Sequence, residues 1–273
     1  MGPDIIGFFS AMGIDLRQVY GSTEFPLIAA HRSEDIRNDT VGPPLPHWEE
    51  IKIDDDGQIL VKGNSIFVGY YKRPEAMAEV VKDGWGCTGD AGIIDEAGHL
   101  ITHGRLQDFR ELMGGELFSP DYIETRLRFS PYIKDCMAIG GPDREYVCAV
   151  ITIDHANVGN WIEARGQDYT TYADLSQKDS VYGLIKTEIE KINRALSKWS
   201  KVMRYALLPK ELDPDEAELT RTGKLRRKHM ENRYTDIIDA LYSGQANYQM
   251  ETEVAYRDGR KGVMKTDIRI EEL

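Results

Sequence analysis

The stretch "GRLQDFRELMGGELFSPDYIE", residues 104–124, marks a change in the character of the chain. Before it the sequence is built of turn residues and short apolar runs; after it, of longer apolar runs and helical periodicity. Within it, Gly114 and Gly115 give the backbone freedom for a tight turn. Ser119 followed by Pro120 then reads as an N-cap and first-turn pair, which predicts a helix over 120–128. A change of style at this point predicts two domains of unequal size, 1–106 and 107–273. The stretch alone fits either a hinge or an ordinary linker.

Working outward, the 273 residues suit one large domain or two smaller ones. Apolar residues at 41% and charged residues at 29% are ordinary for a globular chain, and no apolar run reaches the length of a membrane span. The first residues show no export signal, so a cytoplasmic location is expected. Cys87, Cys136 and Cys148 are too few and too widely spaced for a disulfide framework or a C-x-x-C metal site. A formal net charge of -12 argues against nucleic acid as a partner.

The elements fall into the same two styles. Ile5, Phe8, Phe9, Met12 and Leu16 are spaced for an amphipathic helix over 4–16 that ends near Gly13. Alternation in "EIKI" and "QILVKG" around "DDDG", and in "AGIIDEAGHLITHG", predicts β-hairpins in a small β-rich subdomain. Beyond residue 104 the order is α+β: strands at 134–140 and 146–153, then a long helix at 180–203 with Val181, Leu184, Ile185, Ile189, Ile192, Leu196 and Trp199 on one face. Between them lies a polar connection with room for one short helix. The tail alternates on both sides of "RDGRK", a hairpin signal.

Three further stretches carry chemistry. "YGSTE", residues 20–24, places Gly21, Ser22 and Thr23 where backbone and hydroxyls could meet phosphate oxygens, with Glu24 able to hold magnesium; it reads equally as a turn after a strand. In "GWGCTGDAG", Asp90 could accept the two hydroxyls of a ribose or merely close a β-turn. "LTRTGKLRRK", residues 219–228, sets five cationic side chains in eight positions of an acidic chain. Lys224 is presented from a flexible loop as a compact point charge suited to phosphate or carboxylate, although such runs are usually solvated surface.

In order, these stretches resemble the carboxy-terminal part of the adenylate-forming acyl and aryl acid ligases. "YGSTE" is similar to their Y-G-x-T-E motif, "TGD" to T-G-D, "GRLQD" to the G-R-x-K-D hinge, and "LTRTGKLRR" to T-x-x-G-K-x-x-R. "GQILVKGNSIFVGYYKRPE" is similar to a further family segment, and "RFSPYIKD" and "RYTDIIDALYSG" look most like long-chain fatty acid-CoA ligases. The resemblance runs from residue 1 to about 245. It implies an α/β and α+β fold: the end of the large AMP-binding domain with its β-rich subdomain, then a small mobile α+β domain.

The resemblance also implies roles. Thr23 would contact the adenylate phosphate with Tyr20, Gly21 and Ser22 beside it, Glu24 would hold Mg2+, Asp90 and Arg105 would bind the ribose, and Lys224 would be the catalytic lysine. ATP and a fatty acid would give an acyl-adenylate, and coenzyme A would then displace AMP, with Gly114 and Gly115 swung toward the thiol. Gln107 occupies the hinge position, where the family usually carries Lys or Asp. The family's Ser/Thr/Gly-rich phosphate loop is expected upstream and nothing here replaces it. The expectation is therefore a piece of an enzyme, inactive alone, whose partner is the missing amino-terminal large domain. The alternative is a non-catalytic nucleotide- or coenzyme A-binding module. The reading leaves peripheral membrane contact open.

Overall fold

The computed structural model describes residues 3–221, 223–255 and 261–273. The chain divides into two compact units, Met1–Phe109 and Arg110–Leu273. The sequence reading had set its boundary after residue 106.

The first unit opens with the helix Pro3–Ala11. It stops where Gly13 takes φ +76° and its N–H returns to the Ser10 carbonyl at 2.9 Å, the left-handed ending that glycine permits. Ile6 is buried, but Phe8 and Met12, expected on the apolar face, are exposed. The strand Val19–Tyr20 pairs with Ala29–Ala30. Five antiparallel strands form the main sheet: Glu50–Ile53, Gln58–Lys62, Trp85–Ile94 and Val81–Lys82 in that order, with Leu100–Arg105 also paired to Trp85–Ile94.

The "DDDG" turn works through its first aspartate. Asp54 Oδ1 accepts the Asp56 and Gln58 N–H groups at 3.1 and 2.7 Å, a side-chain turn that fixes the pairing of Ile53 with Ile59. Ile59, Val61 and Leu100 then point into a core with Phe25, Ile28 and Trp48. Gly86 is required there, since a Cβ would lie 2.3 Å from the Phe25 ring.

In the second unit the sheet order is Ile133–Ile139, Val147–Ile153, Val202–Leu207, Lys261–Glu272 and Asn247–Ala255. Val147–Ile153 runs parallel to Val202–Leu207, and the other pairings are antiparallel. Every residue of Val147–Ile153 is buried, as a continuous apolar run demands when both faces of a sheet are covered. On one face lie Pro120–Leu127, His155–Glu163, Tyr172–Ser176 and Asp179–Asn193; on the other, Arg227–Arg233 and Thr235–Tyr242.

Two expectations are corrected. The long helix ends at Asn193 rather than near 203. Asn193 accepts the Val202 N–H at 3.0 Å and donates to the Val202 carbonyl at 2.8 Å, folding the chain back so that Val202–Leu207 becomes a central strand. Leu196 keeps its buried place, whereas Trp199 is exposed. The polar connection between 154 and 179 carries two helices rather than one, each with a side-chain N-cap, Asp154 to Asn157 N and Thr171 to Asp174 N. The terminal strands pair up to Ala255 and Lys261; the turn at "RDGRK" lies largely outside the described residues.

Candidate functional site

In the first unit three of the residues singled out by sequence meet. Asp90 and Arg105 are cross-strand partners on Trp85–Ile94 and Leu100–Arg105. Arg105 Nε lies 3.1 Å from Asp90 Oδ1, and its Nη1 donates to the Thr88 carbonyl at 3.0 Å. Tyr20 donates its hydroxyl to the other carboxylate oxygen, Oδ2, at 2.7 Å. Thr88 locks the turn by accepting the Asp90 N–H at 3.1 Å while donating to the Ile59 carbonyl at 2.8 Å. Burial pushes the Tyr20 phenol well above the ordinary tyrosine range, so it stays a donor.

The rest of "YGSTE" is a compact turn. A Cβ on Gly21 would lie 2.6 Å from the Leu27 nitrogen, so only glycine lets the backbone pass. Ser22 Oγ accepts the Phe25 N–H at 3.2 Å, and Thr23 is exposed. Tyr70 donates its hydroxyl to Glu24 Oε1 at 2.7 Å, and this bond first, then the Glu24 backbone N–H, holds the carboxyl below its usual range. A hard carboxylate suits Mg2+, which keeps several waters or phosphate oxygens and needs few protein ligands. No group of three or more His, Cys, Asp or Glu arranged for a metal occurs among the described residues.

In the second unit Lys224 stands on a narrow loop closed by a bridge between Leu219 and Leu225. The Thr220 N–H bonds the Lys224 carbonyl at 2.7 Å, Thr220 Oγ1 accepts the Lys224 N–H at 2.9 Å, and Gly223 takes φ +74°. The side chain is exposed and makes no ion pair among the described residues. The loop is staked at both ends. Glu218, 0% exposed, accepts from Lys210 Nζ and the Asp213 N–H on Oε2 and from Tyr234 Oη on Oε1, and pairs with Arg233 at 3.2 Å. Past the loop, Arg227 turns inward to Glu124 Oε1 at 2.6 Å and the Ala138 carbonyl at 2.9 Å. Sequence offers Arg227 as helix surface or as a contact for coenzyme A phosphates, and gives no sign of this pairing.

Gly114 and Gly115 form the tip of a short hairpin between Arg110–Glu111 and Leu117–Phe118. Gly115 has φ +86° and its N–H bonds the Leu112 carbonyl at 2.9 Å. Beside it an open cavity of about 360 Å3 is lined by Arg110, Gly141, Asp143, Arg144, Asn232 and Thr235, among others. Gln107 lies exposed in the 3-10 turn Leu106–Asp108, just ahead of the division between the units. Sequence reasoning missed Glu218, Glu124 and Tyr70; Glu218 is the last acid of "DPDEAE", two residues before "TRTGK", and nothing local sets it apart from its acidic neighbours.

In chain order these parts are a Gly-Ser-Thr-Glu turn, a carboxylate with its arginine, a double-glycine hairpin and a staked lysine loop, the order in which the resembling motifs stand in the sequence. The family model described as the AMP-binding enzyme C-terminal domain matches residues 108–246, and the chain belongs to that family.

Among curated relatives, the long-chain fatty acid-CoA ligase FadD15 of Mycobacterium tuberculosis is 29% identical over 245 residues, covering 89% of this chain and 40% of that protein. The long chain acyl-CoA synthetase 8 of Arabidopsis thaliana is 28% identical over 265 residues, covering 89% of this chain and 37% of its own. Among solved structures, the A domain of the carboxylic acid reductase from Segniliparus rugosus, in complex with AMP and a co-purified carboxylic acid, matches with TM-score 0.59 at 23% identity over 89% of this chain and 38% of that one. The anthranilate CoA ligase AuaEII with anthranoyl-AMP matches with TM-score 0.55 at 22% identity over 85% and 41%. These likenesses show the fold. The chain spans about two-fifths of the length of the relatives it matches. No helix among the described residues is long and apolar enough to cross a membrane.

Proposed function

We propose that this chain supplies the ribose, magnesium and lysine elements of a ligase that activates a long-chain fatty acid with ATP and passes the acyl group to coenzyme A. The observation that carries the reading is the meeting of Tyr20 and Arg105 on the two oxygens of Asp90. The carboxylate is thereby held in one orientation, and its remaining lone pairs can accept two vicinal hydroxyls. Thr23, exposed three residues after Tyr20, would take an α-phosphate oxygen, and Glu24 would hold Mg2+ against the same phosphate. The ion supplies charge neutralisation on the phosphate when bound.

Lys224 contributes by electrostatics. Attack of a carboxylate on the α-phosphate brings two anions together and expels pyrophosphate as the new O–P bond forms, and a positioned ammonium lowers that barrier without a covalent step. In the second half-reaction the thiol replaces AMP, with the double-glycine hairpin at the thiol and Arg110 and Arg144, lining the cavity beside it, facing the phosphates of coenzyme A. Gln107, as an uncharged residue at the hinge position, would let the lysine loop and the hairpin exchange places without a charge to re-solvate. The relatives named above, themselves fatty acid-CoA ligases, support the substrate class.

Calorimetric titration with AMP tests the nucleotide reading. Saturable binding that weakens at least about tenfold in Asp90→Asn supports it, a loss of the size expected for a charge-assisted pair. Binding that ignores Asp90 and Tyr20 overturns it.

A further inference from the structure

Behind "YGSTE" lies a buried polar chain that the proposed chemistry does not use. His31, Thr40 and His99 are 5%, 2% and 1% exposed. The Gln18 N–H points at His31 Nδ1, 3.1 Å away, so that nitrogen must carry the lone pair and His31 Nε2 the proton. Nε2 lies 3.1 Å from Thr40 Oγ1, which therefore accepts from it, and which also accepts the Gly42 N–H at 3.2 Å. With both lone pairs engaged, the hydroxyl donates, and its nearer acceptor is His99 Nδ1 at 3.0 Å; the Arg37 carbonyl stands at 3.4 Å. His99 Nε2 then donates to Asp35 Oδ2 at 2.8 Å.

We infer that His31, Thr40 and His99 form a one-way hydrogen-bond relay that positions the strand entering Tyr20, and that protonation of the relay releases it. The direction is fixed at both ends, by an amide that can only donate and a carboxylate that accepts. A second proton on His31 would face the Gln18 N–H head on. A second proton on His99 would aim at an oxygen already accepting twice, and would turn the Thr40 hydroxyl onto the Arg37 carbonyl.

Gln18 is bound to this centre three ways, since it also donates its side chain to the Thr40 carbonyl at 2.9 Å and accepts the His31 N–H at 3.0 Å. Two residues on, Tyr20 reaches Asp90. Loosening Gln18 therefore loosens the Tyr20 hydroxyl from the carboxylate it holds.

The surrounding charges favour the neutral ring at His31. Burial, and then the neighbouring His99, hold the His31 imidazole below its usual value. On the far side Asp35 is paired with Arg37 at 3.0 Å, and Arg37 lies 3.6 Å from Asp95, which in turn accepts the His99 backbone N–H at 2.8 Å. Asp35, Arg37 and Asp95 are the charged groups facing the relay. Because folding prefers His31 without its second proton, the relay is intact above the ordinary histidine value and weakens as the pH falls below it.

The bearing of the relay on nucleotide binding rests on the function proposed above; the relay itself does not, and its test uses no nucleotide. Long-range proton-nitrogen correlation spectra of the histidine rings, with amide hydrogen exchange at Gln18, read it directly. Above neutrality both rings should be Nε2–H tautomers. Protection of the Gln18 amide, corrected for intrinsic exchange, should fall at least about tenfold from about pH 7.5 to about pH 5.5, while Ile151 in the other unit holds steady as the reference. Thr40→Ser should keep this step and Thr40→Val remove it. An Nδ1–H tautomer on either ring, or Gln18 protection indifferent to pH in the unaltered chain, overturns the relay. Those two readouts decide the matter even where Thr40→Val does not fold.

Discussion

Arg227 Nη2 and Glu124 Oε1 stand 2.6 Å apart although 103 residues separate them in sequence. The pair joins the helix that follows the lysine loop to the helix that follows the double-glycine hairpin. Two stretches that sequence presents as separate motifs are thus mounted on one strut, with the Ala138 carbonyl and N–H filling the remaining positions at 2.9 and 2.8 Å.

Breaking that strut should cost more than its exposure suggests. Glu124 is 4% exposed, and Arg227→Met leaves its charge buried, a loss of about 3 kcal/mol for an uncompensated ion. Burial first holds the Glu124 carboxyl above its usual value, and Arg227 pulls it back. Removing Arg227 raises it further, so the folded variant binds a proton more tightly than the unfolded chain does. Its deficit in urea unfolding should therefore shrink between about pH 8 and about pH 5.

Glu218→Gln tests the other stake. The amide presents a donor where Tyr234, Lys210 and the Asp213 N–H already donate, and it removes the charge that Arg233 pairs with. The expected loss is about 3 kcal/mol in a thermal or denaturant melt, with faster proteolytic cutting at residues 219–225.

Lys224→Ala should separate stability from chemistry. The side chain is exposed, so unfolding should move by less than about 0.5 kcal/mol. In the full ligase, fatty-acid-dependent pyrophosphate exchange should fall by about 10²–10³, the usual effect of removing one electrostatic stabiliser.

Asn193→Ala should unfasten the turn that makes Val202–Leu207 a strand. Two bonds to Val202 are lost, at a cost of about 2 kcal/mol, and exchange of the Val202 amide should rise more than that of Ile189.

What sequence could reveal here was local chemistry. Asp54 and Gly57 announced a hairpin, and Ser119 with Pro120 announced a helix, because each acts within four residues of itself. Asp90 was legible as an aspartate in a Gly-rich turn and Arg105 only through the resemblance of "GRLQD" to a family motif; that the two are cross-strand partners came from the structure. The helix end at Asn193 was not legible, since Leu196 and Trp199 continue the apolar spacing past the true stop, and the bonds that end it reach nine residues ahead. Glu124 and Arg227 were opaque for the same reason at a longer range: each alone is an ordinary helical charge, and only packing on Ile133–Ile139 brings them face to face.

The order of strands in the second unit has a consequence for how the protein is made. Residues 261–272 are the last to leave the ribosome of all those in the sheet, yet they lie between Val202–Leu207 and Asn247–Ala255 and bring Ile268 and Ile270 into the core. A nascent chain halted near residue 246 presents Val202–Leu207 as a bare apolar edge, open to pairing with any neighbouring chain. Completion of this layer thus waits for the strand that comes last in sequence among the five, and the Val202–Leu207 edge stays bare until residues 261–272 are in place.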